Sequence, residues 1–91
     1  MKHVFEKPYN FEDKEYKEIE IPIENMKGSD FAEAKKRFSK DGNFSVVPAA
    51  DSEFCAQLGA KMAKVPIEFF EQMPVKEYCK ITQEISNFLL G

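Results

Sequence analysis

Period-two alternation governs the first quarter of the chain, and a period of three to four governs most of the remainder. Ile19, Ile21 and Ile23 fall on every other position with Glu18, Glu20 and Pro22 opposite, the pattern of a strand with one face packed and the other wet. Val4, Phe5, Tyr9 and Phe11 supply an earlier arm, joined to the second through the polar run Glu12-Asp13-Lys14-Glu15. Residues 1–24 are therefore predicted to form a β-hairpin. Asp13-Lys14 lacks the glycine that a type I′ turn favours, which predicts a loop longer than two residues. Pro8 cannot donate to a ladder and predicts an edge or an interruption in the first arm.

A polar turn, Asn25 to Ser29, precedes a helix predicted over 29–41, with Asp30 read as its N-cap and Glu33 closing a capping box. Phe31, Ala34 and Phe38 mark its buried side, and Asp41-Gly42-Asn43 ends it. Phe44 to Val47 is short and apolar and reads either as a third strand or as a pinned connection. The region 51–90 reads as helical. From Asp51 to Lys64, Phe54, Leu58, Met62 and Val65 keep helical spacing, and Ala56, Gly59, Ala60 and Ala63 are small enough to admit a neighbouring helix closely. Pro66 and Pro74 each stand where a missing N–H costs nothing, at a helix start. They open a short helix and the longest amphipathic run, whose Tyr78, Ile81, Ile85, Phe88 and Leu89 share a face while Lys76, Glu77, Lys80, Gln83, Glu84 and Asn87 turn away. Strands grouped at one end, followed by about four helices, read as α+β with a helical C-terminal half. Residues 1–91 are expected to form a single domain.

Composition narrows the function classes. The chain has 91 residues and a net charge of -3, with both signs interspersed, so it lacks the basic face that nucleic acid requires. The short run Lys35-Lys36-Arg37 reads as a solvated face near a helix end. No apolar run is long enough to span a membrane and the N-terminus has no signal-like core, so a cytoplasmic location is expected. Cys55 and Cys79 read as two buried thiols in a reducing compartment, and with His3 they supply neither the number nor the spacing of a metal site. His3 is the single histidine and lies at a terminus, where it reads as a bystander. Gly28, Gly42, Gly59 and Gly91 form no phosphate-binding loop. No cofactor, metal or catalytic activity is expected.

What remains is apolar. Phe69 and Phe70 are adjacent, and Met73 and Val75 follow. One reading makes the short helix a wedge with Ile67 and Phe70 in the core and Phe69 on the flank; the other makes a patch that takes a protein partner. Phe88-Leu89-Leu90 is an apolar ending with the same two readings. The candidate partner-binding residues are Phe69, Met73, Phe88, Leu89 and Leu90. An alternative from another class is a small acidic regulatory adaptor or inhibitor that holds a basic protein through Glu12, Asp13, Glu15, Glu18 and Glu20.

The order of elements resembles the small tail assembly chaperones of long-tailed bacteriophages and prophages. It is carried by the hairpin KPYNFEDKEYKEIEI, the turn and helix start GSDFAEAKKRF, and the run GAKMAKVPIEFFEQMPVKEYCKITQEISNFLL. The chain departs from that pattern at Glu12-Asp13-Lys14, where similar proteins carry a glycine, and at Glu77, where an aspartate is common. The resemblance implies a non-catalytic protein that coats the tape measure protein, keeps it soluble, helps recruit tail tube protein, and is absent from the mature virion. It also implies, for many such proteins, a longer form made by ribosomal frameshifting, which would fit a chain ending in NFLLG; self-association is a natural corollary of weak, multivalent binding to one long client.

Overall fold

The alternation in the first twenty residues is realised as an antiparallel hairpin. In the computed structural model, which describes residues 1–91, strand β1 (Lys2–Phe11) pairs with β2 (Lys14–Glu20) as a two-stranded sheet. The turn is tighter than the sequence predicts. Phe11 pairs with Lys14, so only Glu12 and Asp13 lie between the strands. Both have positive φ, 49° and 64°, the geometry of a type I′ turn that glycine would adopt without penalty. Acidic residues tolerate it because the left-handed region is small but allowed, and because the packed strands on either side hold the register.

The interruption expected at Pro8 is present. Val4 pairs with Glu18 and Tyr9 with Tyr16, so Phe5 to Pro8 stand opposite Lys17 alone. The bulge bends β1 and lets His3, Phe5, Tyr9 and Phe11 all face inward. The Met1 amine accompanies this by donating to the Ile21 carbonyl at 2.8 Å and to Glu24 at 2.7 Å. Ile21 and Ile23 continue the buried isoleucine series beyond the end of β2, the latter in a short 3₁₀ turn over Ile23–Asn25.

Four helices follow: α1 (Gly28–Lys40), α2 (Ser52–Ala63), α3 (Ile67–Glu71) and α4 (Val75–Leu90). The fold is α+β with a helical C-terminal half, as expected. α1 begins three residues earlier than Asp30 as N-cap would require. Lys27 is the N-cap, and the Asp30 carboxylate reaches back to accept its N–H at 2.9 Å. The acid thus satisfies an orphan donor from the third helical position instead of the cap, and Glu33 is left to pair with Lys61. At α2 the Asp51 carboxylate accepts from the N–H groups of Glu53 and Phe54, at 2.9 and 3.1 Å, a cap whose removal costs about 1 kcal/mol. α2 ends with Lys64 in the left-handed conformation, φ 59°, and Val65 N–H returning to the Ala60 carbonyl.

Helix α2 packs against α1, α3 and α4. Its Gly59 allows the close approach of α3 and α4, since a Cβ there would lie 2.8 Å from Ile85 Cδ1 and 3.0 Å from Phe70 Cζ. Two clusters of buried side chains result. The larger joins the hairpin to α2, α3 and α4, and the smaller holds Ala34, Phe38, Phe54 and Leu58 between α1 and α2. Phe44 to Val47 forms neither a third strand nor a pinned connection: it is a loop.

Candidate partner-binding surfaces

The first two sequence candidates belong to the core. Phe69 is 0% exposed. Its ring lies within 5.0–5.3 Å of those of Tyr9, Phe11 and Tyr16, all in edge-on contact, with Phe5 and Phe70 slightly farther. The Tyr9 hydroxyl donates to the Phe69 carbonyl at 2.7 Å, and burial raises the Tyr9 pKa above its ordinary value. The flank of α3 expected to be free is therefore covered by the hairpin. A short helix between two layers buries both of its adjacent phenylalanines, Phe69 toward the sheet and Phe70 toward α2 and α4. Met73 is likewise buried, though it contributes to the wall of a cleft described below.

The C-terminal candidates divide. Phe88 and Leu90 are exposed, whereas Leu89 is half-buried and packs against both core clusters. The inward face of α4 carries Glu77, Ile81, Thr82, Ile85 and Ser86, so the stripe is more polar than apolar spacing alone suggests. The largest solvent-facing apolar group is one that the sequence reading passed over. Phe44 is 86% exposed and Val46 84%, with Val47 about half exposed beside them. Three apolar side chains fall within four residues of this loop, whose sequence reads as a third strand or a pinned connection.

Two clefts border the outer side of α2. The first, of about 410 Å³, lies between α2, α3 and α4 and is lined by Glu53, Ala56, Gln57, Ile67, Glu71, Met73, Val75 and Tyr78. The second, of about 370 Å³, lies between α1, α2 and the start of α3, with Glu33, Arg37, Asp41 and Lys61 on its margin. Gln57 and Ile67 line both, so the two adjoin there. Around the first cleft the acids converge. Burial raises the Tyr78 pKa, and the charges of Glu53, Asp51 and Glu71 raise it further against an opposing hydrogen bond from Ser52.

His3 is not a terminal bystander. It is 1% exposed, with Nε2 at 3.0 Å from Glu77 and Nδ1 at 3.3 Å from Glu84. The other Glu77 oxygen accepts the Glu6 N–H at 2.7 Å. Glu77, read from its spacing as solvent-facing, is buried because β1 lies over this part of α4 and supplies both partners. Both imidazole nitrogens face carboxylate oxygens. The group ties the hairpin to the last helix. The two thiols differ as well: Cys55 is buried, its pKa pushed up to about 11 by desolvation with help from Asp51, whereas Cys79 is exposed on α4. No group of three or more His, Cys, Asp or Glu side chains is placed to hold a metal ion, and no helix is long and apolar enough to cross a membrane.

A family model described as phage tail assembly chaperone proteins, E, or 41 or 14, matches residues 2–90. No curated protein and no solved structure matches the chain.

Proposed function

We propose that this chain, which belongs to the phage tail assembly chaperone family, binds the tape measure protein through solvent-facing apolar side chains and keeps it soluble while tail tube protein assembles around it. The observation that carries the reading is the Phe44, Val46 and Val47 loop, three large apolar side chains held in water by a chain with a full core elsewhere. Such a group marks an interaction surface when the remaining exterior is charged. Phe88 and Leu90 at the end of α4 add a second apolar contact, and several copies on one long client would gain avidity from individually weak contacts. On this reading the protein acts in the cytoplasm of the infected cell and is absent from the mature virion.

The test is co-expression with the tape measure protein of the same phage. The client is expected in the soluble fraction with the wild-type chain and in the pellet with a Phe44→Ser/Val46→Ser variant that keeps its helix content. A client equally insoluble with and without the wild-type chain ends the proposal. The acidic-adaptor reading draws less support, since Glu18 is already paired with Lys2 and Glu20 with the Met1 amine. Its binding would also fall steeply with salt, whereas apolar capture would not.

A further inference from the structure

We infer that the cleft between α2, α3 and α4 is a docking groove for an amphipathic helix that presents an apolar side chain flanked by lysine or arginine. This rests on the reading that the chain captures client helices, and it adds where one of them sits and what charge it carries. The floor is apolar and adaptable. Ala56 gives depth, Met73 can change rotamer to follow a guest, and Ile67, Tyr78 and the 75% exposed Val75 form the sides. A volume of about 410 Å³ falls in the range of sites that take an organic group of some size, roughly 300–1,000 Å³.

The walls decide the conformation of the guest. Glu53, Ala56 and Gln57 lie within α2, Ile67 and Glu71 within α3, and Val75 and Tyr78 within α4. No strand borders the groove, so it offers no sheet edge to which an extended peptide could add. An α-helix satisfies its own backbone and binds such a groove through side chains. The rim decides its charge. Glu53 and Glu71 stand at the groove and neither takes part in any ion pair of the structure. The lysines that do pair are engaged elsewhere, Lys2 with Glu18, Lys61 with Glu33 and Lys76 with Glu6. Burial is the first cause of the raised Tyr78 pKa, and the charges of Glu53, Asp51 and Glu71 add to it at the same cleft.

Two synthetic helical peptides test this, identical in their leucine positions and carrying either lysine or glutamate at the flanking sites. Titrated into the full-length chain at low salt, the lysine peptide is expected to bind about ten-fold more tightly, as two rim contacts would give. That advantage should shrink at high salt, and backbone amide shifts should centre on Ile67, Val75 and Tyr78. A Glu53→Gln/Glu71→Gln variant should lose the preference, and Val75→Ser should weaken both peptides. Equal affinity for the two peptides overturns the inference, as does a footprint centred on Phe44 to Val47 or on Phe88 to Leu90. Sedimentation showing copies of this chain joined through the same groove, and separated by the Glu53→Gln/Glu71→Gln change, overturns it in favour of a second copy as occupant. Co-expression separates the two readings. If the wild-type chain and the groove variants solubilise the tape measure protein equally, the groove inference fails and the chaperone reading stands. If the wild-type chain does not solubilise it, the chaperone reading fails whatever the peptides do.

Discussion

Replacing Phe69 by alanine should remove a large part of the stability of this protein. The side chain is fully buried and meets five aromatic rings. A phenylalanine buries about 150–250 Å², worth about 4–6 kcal/mol at ~25 cal/mol per Å², of which alanine retains a part. Measured Phe→Ala changes in cores run to about 3–5 kcal/mol, so about 4 kcal/mol is expected. A chain of 91 residues has a total stability of roughly 5–14 kcal/mol, so the variant would be marginal. In urea, with a slope of about 1–1.5 kcal/mol per M, the midpoint followed by circular dichroism should fall by about 3 M. Phe69→Leu, which keeps most of the volume, should lose only about 1.5 kcal/mol and so remain measurable if the alanine variant is unfolded. Phe88→Ala, at an exposed position, should stay within about 0.5 kcal/mol of wild type. A Phe69→Ala chain within about 1 kcal/mol of wild type would refute the hairpin-over-α3 packing and return Phe69 to the surface.

Other positions test other joints of the fold. Glu77→Ala strips His3 of one partner and leaves the Glu6 N–H unmatched; a loss of about 3 kcal/mol is expected in the same denaturation assay, and a loss below about 1 kcal/mol would mean the group is not holding the hairpin to α4. Gly59→Ala should lose about 1 kcal/mol, because overpacking against Ile85 and Phe70 at about 1–3 kcal/mol outweighs a helix-propensity gain of about 1 kcal/mol. Gly28→Ala, with nothing within 4 Å, serves as the comparison, and a Gly59→Ala chain that melts higher than wild type contradicts the close approach. In the native protein a thiol reagent at pH 8 should label Cys79 rapidly and Cys55 only after denaturant is added, given their exposure. Because the Cys55 thiol titrates near 11 when folded against 9.0 unfolded, the unfolded chain sheds that proton first, and stability should decline as pH rises between those values. Flat melting temperatures across that window in wild type, matched by Cys55→Ala, would contradict the burial.

Much of the fold was legible because it follows from periods and punctuation. Alternating isoleucines marked the end of β2 and its buried continuation, and Pro66 and Pro74 located the starts of α3 and α4. What escaped was set by tertiary context. No local signal says that a helix of five residues will be sandwiched, so the spacing of Phe69 and Phe70 left one of them apparently free. His3 and Glu77 each looked like a surface residue, and only the passage of β1 over α4 makes them a buried pair. The Glu12-Asp13 turn defeated a composition rule because strand pairing on both sides imposes a left-handed geometry that the residues themselves disfavour. Phe44 to Val47, whose short apolar run suggests a third strand or a pinned connection, is an exposed loop, because the sheet closes with two strands and leaves it no neighbour to pair with.

The nine phenylalanines divide between core and surface. Phe5, Phe11, Phe38, Phe54, Phe69 and Phe70 are buried and Phe31 is partly so, leaving Phe44 and Phe88 in water. A small domain has a high ratio of surface to volume and needs most of its large side chains for the core, so the two left in water are the ones the proposed client binding would use. They sit on a loop and at a helix end. The hairpin is held to α3 and α4 by the Tyr9 and Glu77 bonds, so capture of an apolar client through the loop need not open the core. Binding that left hydrogen-exchange protection of β1 and α4 unchanged would agree with this separation of roles; loss of protection there on adding client would show that the core aromatics themselves are the binding surface.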